Sequence, residues 1–493
     1  MRLKIKMNPY LPLDEYIPDA EPRVFEGRLY VYGSHDLAGG EKGYCAGDYM
    51  VYSAPLDDLS DFRLDSVAFR RQDCPDLTEG DAMAAPDCVK GIDGAYYLYF
   101  NTNRQKVCRI ARSESPAGPF TYYGEVQRSD GTAYDDYKMF DPGVLVDDGH
   151  VYLYVGFCMP GPVPEKYRGL KSPFAPTSIG YELASDMKTI ISGPFPIIPG
   201  GNVSEGTGFE GHSFYEASSP RKINDKYVMV YSSEQKHELC YAVSDKPLEG
   251  YKYKGVLISN CDLGYEGNTE PVMPYGNNHG GLVMIDGDYY IFYHRQTHGI
   301  ECCRQGCAQK LTIDENGDFK QAQVTSGGLS GTIKAKGVLN SAYCCGLASP
   351  DIPNDSLHEK SDRMLSEPHI YEDPYTKEHY IKRIKNHTKV TFKYFDIDDL
   401  KAISLSLKGE SECKVSVMIL KDGNIVSQSR KDIRLPAKDS FVSGGSSADG
   451  ETDWKSYVIE LPGKVSETMC SIEVCFDADK EICFKEIEFI QAI

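Results

Sequence analysis

Three acidic residues stand at matching places along this chain. Asp19 lies in Ile17-Pro18-Asp19-Ala20, Asp141 in Met139-Phe140-Asp141-Pro142-Gly143, and Glu216 in Phe214-Tyr215-Glu216-Ala217. Each sits a similar short distance upstream of a run in which Tyr or Phe alternates with aliphatic residues. Three carboxyl groups gathered in one sugar-sized pocket can hydrolyse a glycosidic bond with inversion. One gives its proton to the leaving oxygen, and one, ionised, activates water on the opposite face of the ring. The third holds up the acid's pKa by like-charge repulsion and orients it. An Asp near a strand start also serves as a turn former. What sets these three apart is their recurrence at equivalent positions.

The elements that must position them are five repeats of one small pattern, a turn followed by an alternating strand. They are Gly27-Arg28-Leu29-Tyr30-Val31-Tyr32, Gly94-Ala95-Tyr96-Tyr97-Leu98-Tyr99-Phe100, Gly149-His150-Val151-Tyr152-Leu153-Tyr154, Asn224-Asp225-Lys226-Tyr227-Val228-Met229-Val230-Tyr231 and Gly287-Asp288-Tyr289-Tyr290-Ile291-Phe292-Tyr293. They recur about every 55 to 75 residues, the signature of a β-propeller with one blade per repeat. Ser53-Ala54-Pro55, Ser113-Glu114-Ser115-Pro116 and Ser244-Asp245-Lys246-Pro247 follow three of the repeats and read as outer hairpin turns. In a propeller the innermost strand of a blade precedes its Tyr-rich strand. Acids at the starts of different blades therefore converge on the central axis.

The chain has 493 residues, too many for one core. After about residue 365 the texture changes to short period-two runs such as Lys389-Val390-Thr391-Phe392-Lys393-Tyr394-Phe395 and Ala402-Ile403-Ser404-Leu405-Ser406-Leu407. The expected organisation is all-β: a five-bladed propeller over 1–335, a linker over 336–365, and a β-sandwich over 366–493. Net charge is −20, which offers no basic stripe for nucleic acid and nothing for an anionic membrane. Met1 to Lys6 is basic but no apolar run follows it, so the expectation is a cytoplasmic protein with no transmembrane span. The sixteen Cys are read as reduced thiols. Cys240 looks like a small core residue, and without any C-x-x-C pair the spacing signals no structural zinc.

Taken together, Pro18-Asp19, Gly27 to Asp36, Ala85-Pro86-Asp87, Phe140-Asp141-Pro142-Gly143-Val144, Tyr215-Glu216-Ala217-Ser218-Ser219 and Tyr293-His294-Arg295 resemble glycoside hydrolase family 43. Its members are five-bladed propeller enzymes acting on arabinosides and xylosides. The resemblance covers about residues 8 to 335. It implies Asp19 as general base, Asp141 as pKa modulator and Glu216 as general acid. The family's base is usually followed by Pro. Here Ala20 follows Asp19, and Glu21-Pro22 comes two residues later, so Glu21 is a rival base. The resemblance also places His279 in the axial channel, near a possible Ca2+, although no cofactor is required for the chemistry. Arg295, His35 and Asp36 are candidate substrate contacts. Arg304-Gln305-Gly306-Cys307-Ala308 resembles a stretch that closes the propeller and is read as structural. The C-terminal sandwich resembles carbohydrate-binding modules of family 6, with Trp454, the only Trp, expected in its core.

The function expected from this reading is an inverting exo-glycosidase that removes terminal α-L-arabinofuranose from arabinose- or xylose-containing oligosaccharides. β-D-Xylosidase and exo-β-galactanase are the alternatives within the class. A non-catalytic glycan-binding propeller is the alternative outside it, disfavoured because all three acids are present.

Overall fold

The computed structural model describes residues 7–40, 42–102, 107–159, 161, 174–349, 367–435 and 454–492. Four sheets of four antiparallel strands and one of three follow one another along the chain. Blade one is β1 (Glu21–Phe25), β2 (Arg28–Tyr32), β3 (Tyr49–Pro55) and β4 (Arg63–Phe69). Blade two is β5 (Asp87–Lys90), β6 (Tyr96–Phe100), β7 (Arg109–Ser113) and β8 (Thr121–Glu125). Blade three is β9 (Gly143–Asp147), β10 (His150–Val155), β11 (Thr177–Leu183) and β12 (Ile190–Pro199). Blade four is β13 (Phe214–Ile223), β14 (Lys226–Ser233), β15 (Glu238–Ser244) and β16 (Lys252–Ser259). Blade five is β17 (Leu282–Ile285), β18 (Asp288–Gln296) and β19 (Arg304–Lys310).

The five Tyr-rich repeats are the second strands of the five blades. Their alternation has a direct physical reading. In a strand, successive side chains point to opposite faces, and in a propeller each face meets a different neighbouring blade. Tyr96, Leu98 and Phe100 pack with Tyr30 and Tyr32 between blades one and two, while Tyr97 and Tyr99 pack with Val151 and Leu153 between blades two and three. The same division recurs around the ring, giving five buried clusters for five blade contacts. No blade can bury both faces alone, so the ring must close to be stable. Closure uses the chain's lead-in. Asn8 donates to the carbonyls of Ala308 and Thr325, both at 3.0 Å, and accepts from the Ala308 amide at 2.9 Å. This segment lies where blade five lacks a fourth strand.

The C-terminal strands form one ten-stranded sheet around its own core. Its two longest strands, Thr388–Gly409 and Lys455–Ala478, pair through four register shifts, which bend the sheet over that core. The expected linker is corrected in part. Gly337–Asn340 and Gly346–Ala348 are strands of this same sheet, and so is Ile333–Lys334, at the end of the stretch expected in the propeller. Their isolated short apolar runs gave no period-two signal. Residues 350–365 of that expected linker, and most of the Pro-rich loop at 160–164, lie outside the described residues. Trp454 is half-buried, with its ring edge on Tyr380 and its indole N–H donating to Glu378 at 3.2 Å.

Two arginines hold the innermost strands together. Arg23 on β1 donates to both carboxylate oxygens of Asp87 on β5 and to the Val144 carbonyl on β9. Arg221 on β13 donates to Glu21 on β1 at 2.8 Å and to the Leu282 carbonyl on β17 at 2.6 Å. All four charged side chains are nearly or fully removed from solvent. Removing one partner of a buried pair strands the other charge. Arg221→Met should therefore lower stability by about 3–5 kcal/mol, and adding Glu21→Leu should recover most of that; urea unfolding of the single and double variants checks it.

Candidate active site

The three acids of the sequence pattern do meet at the axis. Asp19 and Asp141 each lie two residues before an innermost strand, and Glu216 lies within one. All three are buried: Asp19 is 3 %, Asp141 4 % and Glu216 7 % exposed. The backbone is bent to present them. Asp19 and Asp141 adopt left-handed conformations with φ of 57° and 45°, and Ala217, beside Glu216, has φ 69°. Such residues cost free energy and cluster at functional sites. The β13–β14 register shifts on both sides of Glu216, a bulge of the kind that re-aims a side chain. Gly143 allows the close approach between the strands carrying Asp141 and Glu216. A Cβ there would lie 2.1 Å from the Ser218 carbonyl oxygen.

Asp19 is held ionised. Burial pushes its pKa up, but the Arg304 guanidinium, 2.8 Å from Oδ1, together with the Ser34 hydroxyl, outweighs that and holds it below the usual range. Arg304 is itself fixed. Asp36 accepts from its backbone N–H, Nε and Nη2 at 2.8–3.1 Å, and Tyr44 lies under its guanidinium. His294 bonds the Asn277 carbonyl through Nε2 at 2.7 Å and faces the Asp19 amide with Nδ1 at 3.4 Å. Burial and Arg304 lower its pKa to about 3, so it is neutral, and Arg304 is the largest of the positive influences on Asp19, with His279 adding to it.

Glu216 is shifted the other way. Burial, then the charges of Asp141 and Asp19, push its pKa up to about 8, against His279 and Arg304. Asp141 is also raised, by burial and the Asp19 charge, against His279. His279 lies between two carboxylates, with Nδ1 3.4 Å from Asp141 Oδ2 and Nε2 3.9 Å from Glu21 Oε1. Burial opposes its charge, but Asp141 and Glu21 together raise its pKa well above the ordinary value. The shifts run in opposite directions, favouring the ionised carboxylate at Asp19 and the protonated one at Glu216. That is the pair of states acid–base glycoside hydrolysis needs.

The remaining sequence candidates separate. Glu21 is locked in its pair with Arg221. Burial raises and Arg221 lowers its pKa, to about 2, which makes it a structural anion of the channel. Arg295, expected to contact substrate or Asp141, instead donates to Gln305 and to the Ala342 and Cys344 carbonyls. It ties the propeller to the segment entering the C-terminal sheet. His35 faces the Asp48 carbonyl at 3.0 Å and fastens a turn. Asp36 acts through Arg304. The residues at His279 do not fit a calcium ion. Calcium takes six to eight oxygen ligands, whereas here an imidazolium, Arg23 and Arg221 already balance the acids.

Arg304 is the main residue that sequence reasoning left out, as part of a stretch read as structural. It opens β19, whose first residue pairs with Gln296, the last of β18. A charged residue at the start of the third strand of a blade is the signal that could have found it. A second is Lys138, whose ammonium lies 4.8–5.8 Å from the ring centres of Phe140, Phe157 and Phe174. Phe157 also packs on Tyr215 at 5.0 Å. These half-buried rings form a wall next to Asp141 and Glu216 with faces suited to a sugar ring.

Comparison with known proteins identifies the family. Residues 26–319 match the model of glycosyl hydrolases family 43. A xylosidase/arabinosidase of Thermoclostridium stercorarium is 39% identical over 421 residues, 82% of this chain and 86% of that protein. A xylosidase/arabinosidase of Bacteroides ovatus is 30% identical over 311 residues, 58% of this chain and 87% of that protein. The solved structure of CoXyl43, a β-xylosidase/α-arabinofuranosidase from a compost metagenome, shares the fold with TM-score 0.51 and 24% identity, covering 65% of this chain and 98% of that one. The chain belongs to glycosyl hydrolases family 43 and is a glycoside hydrolase. Within that class, the particular sugar remains to be argued from this chain's own pocket.

If Arg304 sets the charge of Asp19, its removal must raise the Asp19 pKa. Arg304→Gln combined with Asp36→Asn, which avoids an orphaned buried carboxylate, should move the acid limb of the kcat/KM profile to higher pH. The alkaline limb should move much less. A pH series on wild type and the double variant checks this.

Proposed function

We propose that this protein is an inverting exo-glycosidase that releases terminal α-L-arabinofuranose from oligosaccharides or glycosides. In this reading Asp19 is the general base, Glu216 the general acid, and Asp141 the residue that raises and orients Glu216. The observation that carries it is the opposite displacement of two buried carboxyl groups at one axis, Glu216 upward to about 8 and Asp19 downward. Environments that push two acids apart mark which gives and which takes the proton. The enclosed position of the acids favours a chain end over the middle of a polymer. Arabinose- or xylose-containing oligosaccharides are the substrate class.

A second reading, β-D-xylosidase, is favoured by the names of the relatives. Two are xylosidase/arabinosidases, and a protein of Xylanibacter ruminicola that is 29% identical is a β-xylosidase. The two sugars present similar hydroxyl patterns, so one pocket can accept both.

The reaction then follows from the side chains. The Asp19 carboxylate, oriented by Arg304 and Ser34, takes a proton from a water on one face of the sugar. That water attacks the anomeric carbon while Glu216 protonates the departing oxygen on the other face. Asp141, 3.4 Å from His279, lies beside Glu216, and its negative charge favours the proton on Glu216.

Assays on aryl α-L-arabinofuranoside, β-D-xyloside and β-D-galactoside, with NMR of the first-formed anomer, test the proposal. The arabinofuranoside should turn over to the inverted sugar; retention, or silence of all three in folded protein, would overturn it. Glu216→Gln should slow natural glycosides about 10²- to 10⁴-fold, but aryl substrates with activated leaving groups much less. The wild-type kcat/KM profile should be bell-shaped. Activity falls as pH drops through the depressed Asp19 pKa, because the base becomes protonated. It falls again as pH rises through about 8, because Glu216 loses its proton.

A further inference from the structure

Blade four holds a second cluster of ligand-type side chains, two strands outward from the one carrying Glu216. His212 lies just before β13, and Glu238 and Cys240 lie on β15. His212 Nδ1 is 2.7 Å from Glu238 Oε1. Cys240 Sγ is 3.4 Å from the same oxygen and 4.0 Å from His212 Nδ1. Glu238 and Cys240 are buried, at 4 % and 0 % exposed, and His212 is half-exposed. The imidazole is oriented from behind by the Tyr253 ring, stacked at 5.0 Å and 9°. Ser233 donates to Glu238 Oε1 at 2.5 Å, a second contact that fixes the carboxylate. Cys240 belongs to the buried cluster between blades three and four, as its sequence context suggests, yet its sulfur also faces a carboxylate and an imidazole.

The three donor atoms lie close enough together for one ion to reach all of them. Four-coordinate zinc binds imidazole nitrogen and carboxylate oxygen at about 2.0–2.2 Å and thiolate at about 2.3 Å, which puts neighbouring donors roughly 3.3–3.8 Å apart. The two Cys240 separations, 3.4 and 4.0 Å, lie close to that range, while the 2.7 Å His212–Glu238 contact is the hydrogen bond of the metal-free site and must lengthen when an ion enters. A borderline-soft thiolate and an imidazole select a zinc-class ion over calcium, which wants only oxygen. No spacing motif in the sequence could show this. His212 and the Glu238–Cys240 pair are 26 residues apart and are joined only by the folding of the blade.

We propose that His212, Glu238 and Cys240 form a binding site for a zinc-class divalent cation, with water completing the tetrahedron on the solvent side of His212. On binding, the Cys240 thiol proton and the proton shared by His212 and Glu238 pass to solvent. The ion then fastens the approach to β13 onto β15. His212 stands four residues before Glu216, so the site would brace the strand that presents the candidate acid. It plays no part in bond cleavage.

The test is a Co2+ titration of the untagged, reduced full chain, followed by displacement with Zn2+. One equivalent of Co2+ should produce a thiolate-to-cobalt charge-transfer band in the near ultraviolet, and Zn2+ should abolish it. Cys240→Ser should lose the band. His212→Ala, a change at a half-exposed position that leaves the core intact, should weaken Co2+ binding about tenfold or more. Zn2+ should raise the melting temperature of wild type and leave that of His212→Ala unchanged. The absence of a band in wild type, or a band that survives both substitutions and so belongs to other thiols, would overturn the proposal.

Discussion

Five innermost strands start around one axis, and many of the buried side chains they carry there are acidic. Glu21, Asp87, Asp19, Asp141 and Glu216 all sit within this buried zone. Left unbalanced, that many charges away from water would hold the ring open. Arg23, Arg221, Arg304 and His279 balance them. The pairs also span blades: Arg23 joins blades one, two and three, and Arg221 joins blades four, five and one. The neutralisation that lets the channel exist is therefore also what fastens the blades at their inner edges. The aromatic clusters between the second and third strands fasten them further out.

The balance is deliberately incomplete at one point. Arg304 serves Asp19, Arg221 serves Glu21, Arg23 serves Asp87, and His279 is shared by Asp141 and Glu21. Among the described residues, no cation forms an ion pair with Glu216. It sits in the same low-dielectric space with two carboxylates as neighbours, and the least costly response is to keep its proton. The same burial thus yields opposite outcomes at Asp19 and Glu216, and the position of one arginine decides which. Neither carboxyl needs an unusual chemistry of its own.

The propeller was legible because its signal is periodic and local. Alternation in Tyr30-Val31-Tyr32 or Tyr96 to Phe100 reflects two faces buried against two blades, which any strand of such a ring must satisfy. The acids were legible because they recur at one offset from that signal. Partnerships across the ring were not. Arg304 meets Asp19 across 285 residues of chain, and Arg221 meets Glu21 across 200; nothing in either local stretch records the other. For the same reason Arg295 looked like a pocket residue from its place after Tyr293-His294, although its side chain turns toward Ala342 and Cys344. The strands at 337–348 were read as linker, and the strand at 333–334 as the end of the propeller, because two to four residues paired to a distant edge leave no period to detect.

The central claim is that burial and the neighbouring Asp141 charge hold Glu216 protonated at neutral pH. It is tested most directly by following the Glu216 side-chain carboxyl by ¹³C NMR through a pH titration, in wild type and in Asp141→Asn. The account predicts a midpoint at about 8 in wild type and a lower one in the variant, where the repelling charge is gone. A wild-type midpoint in the ordinary glutamate range, or one that does not move when Asp141 is neutralised, would contradict it.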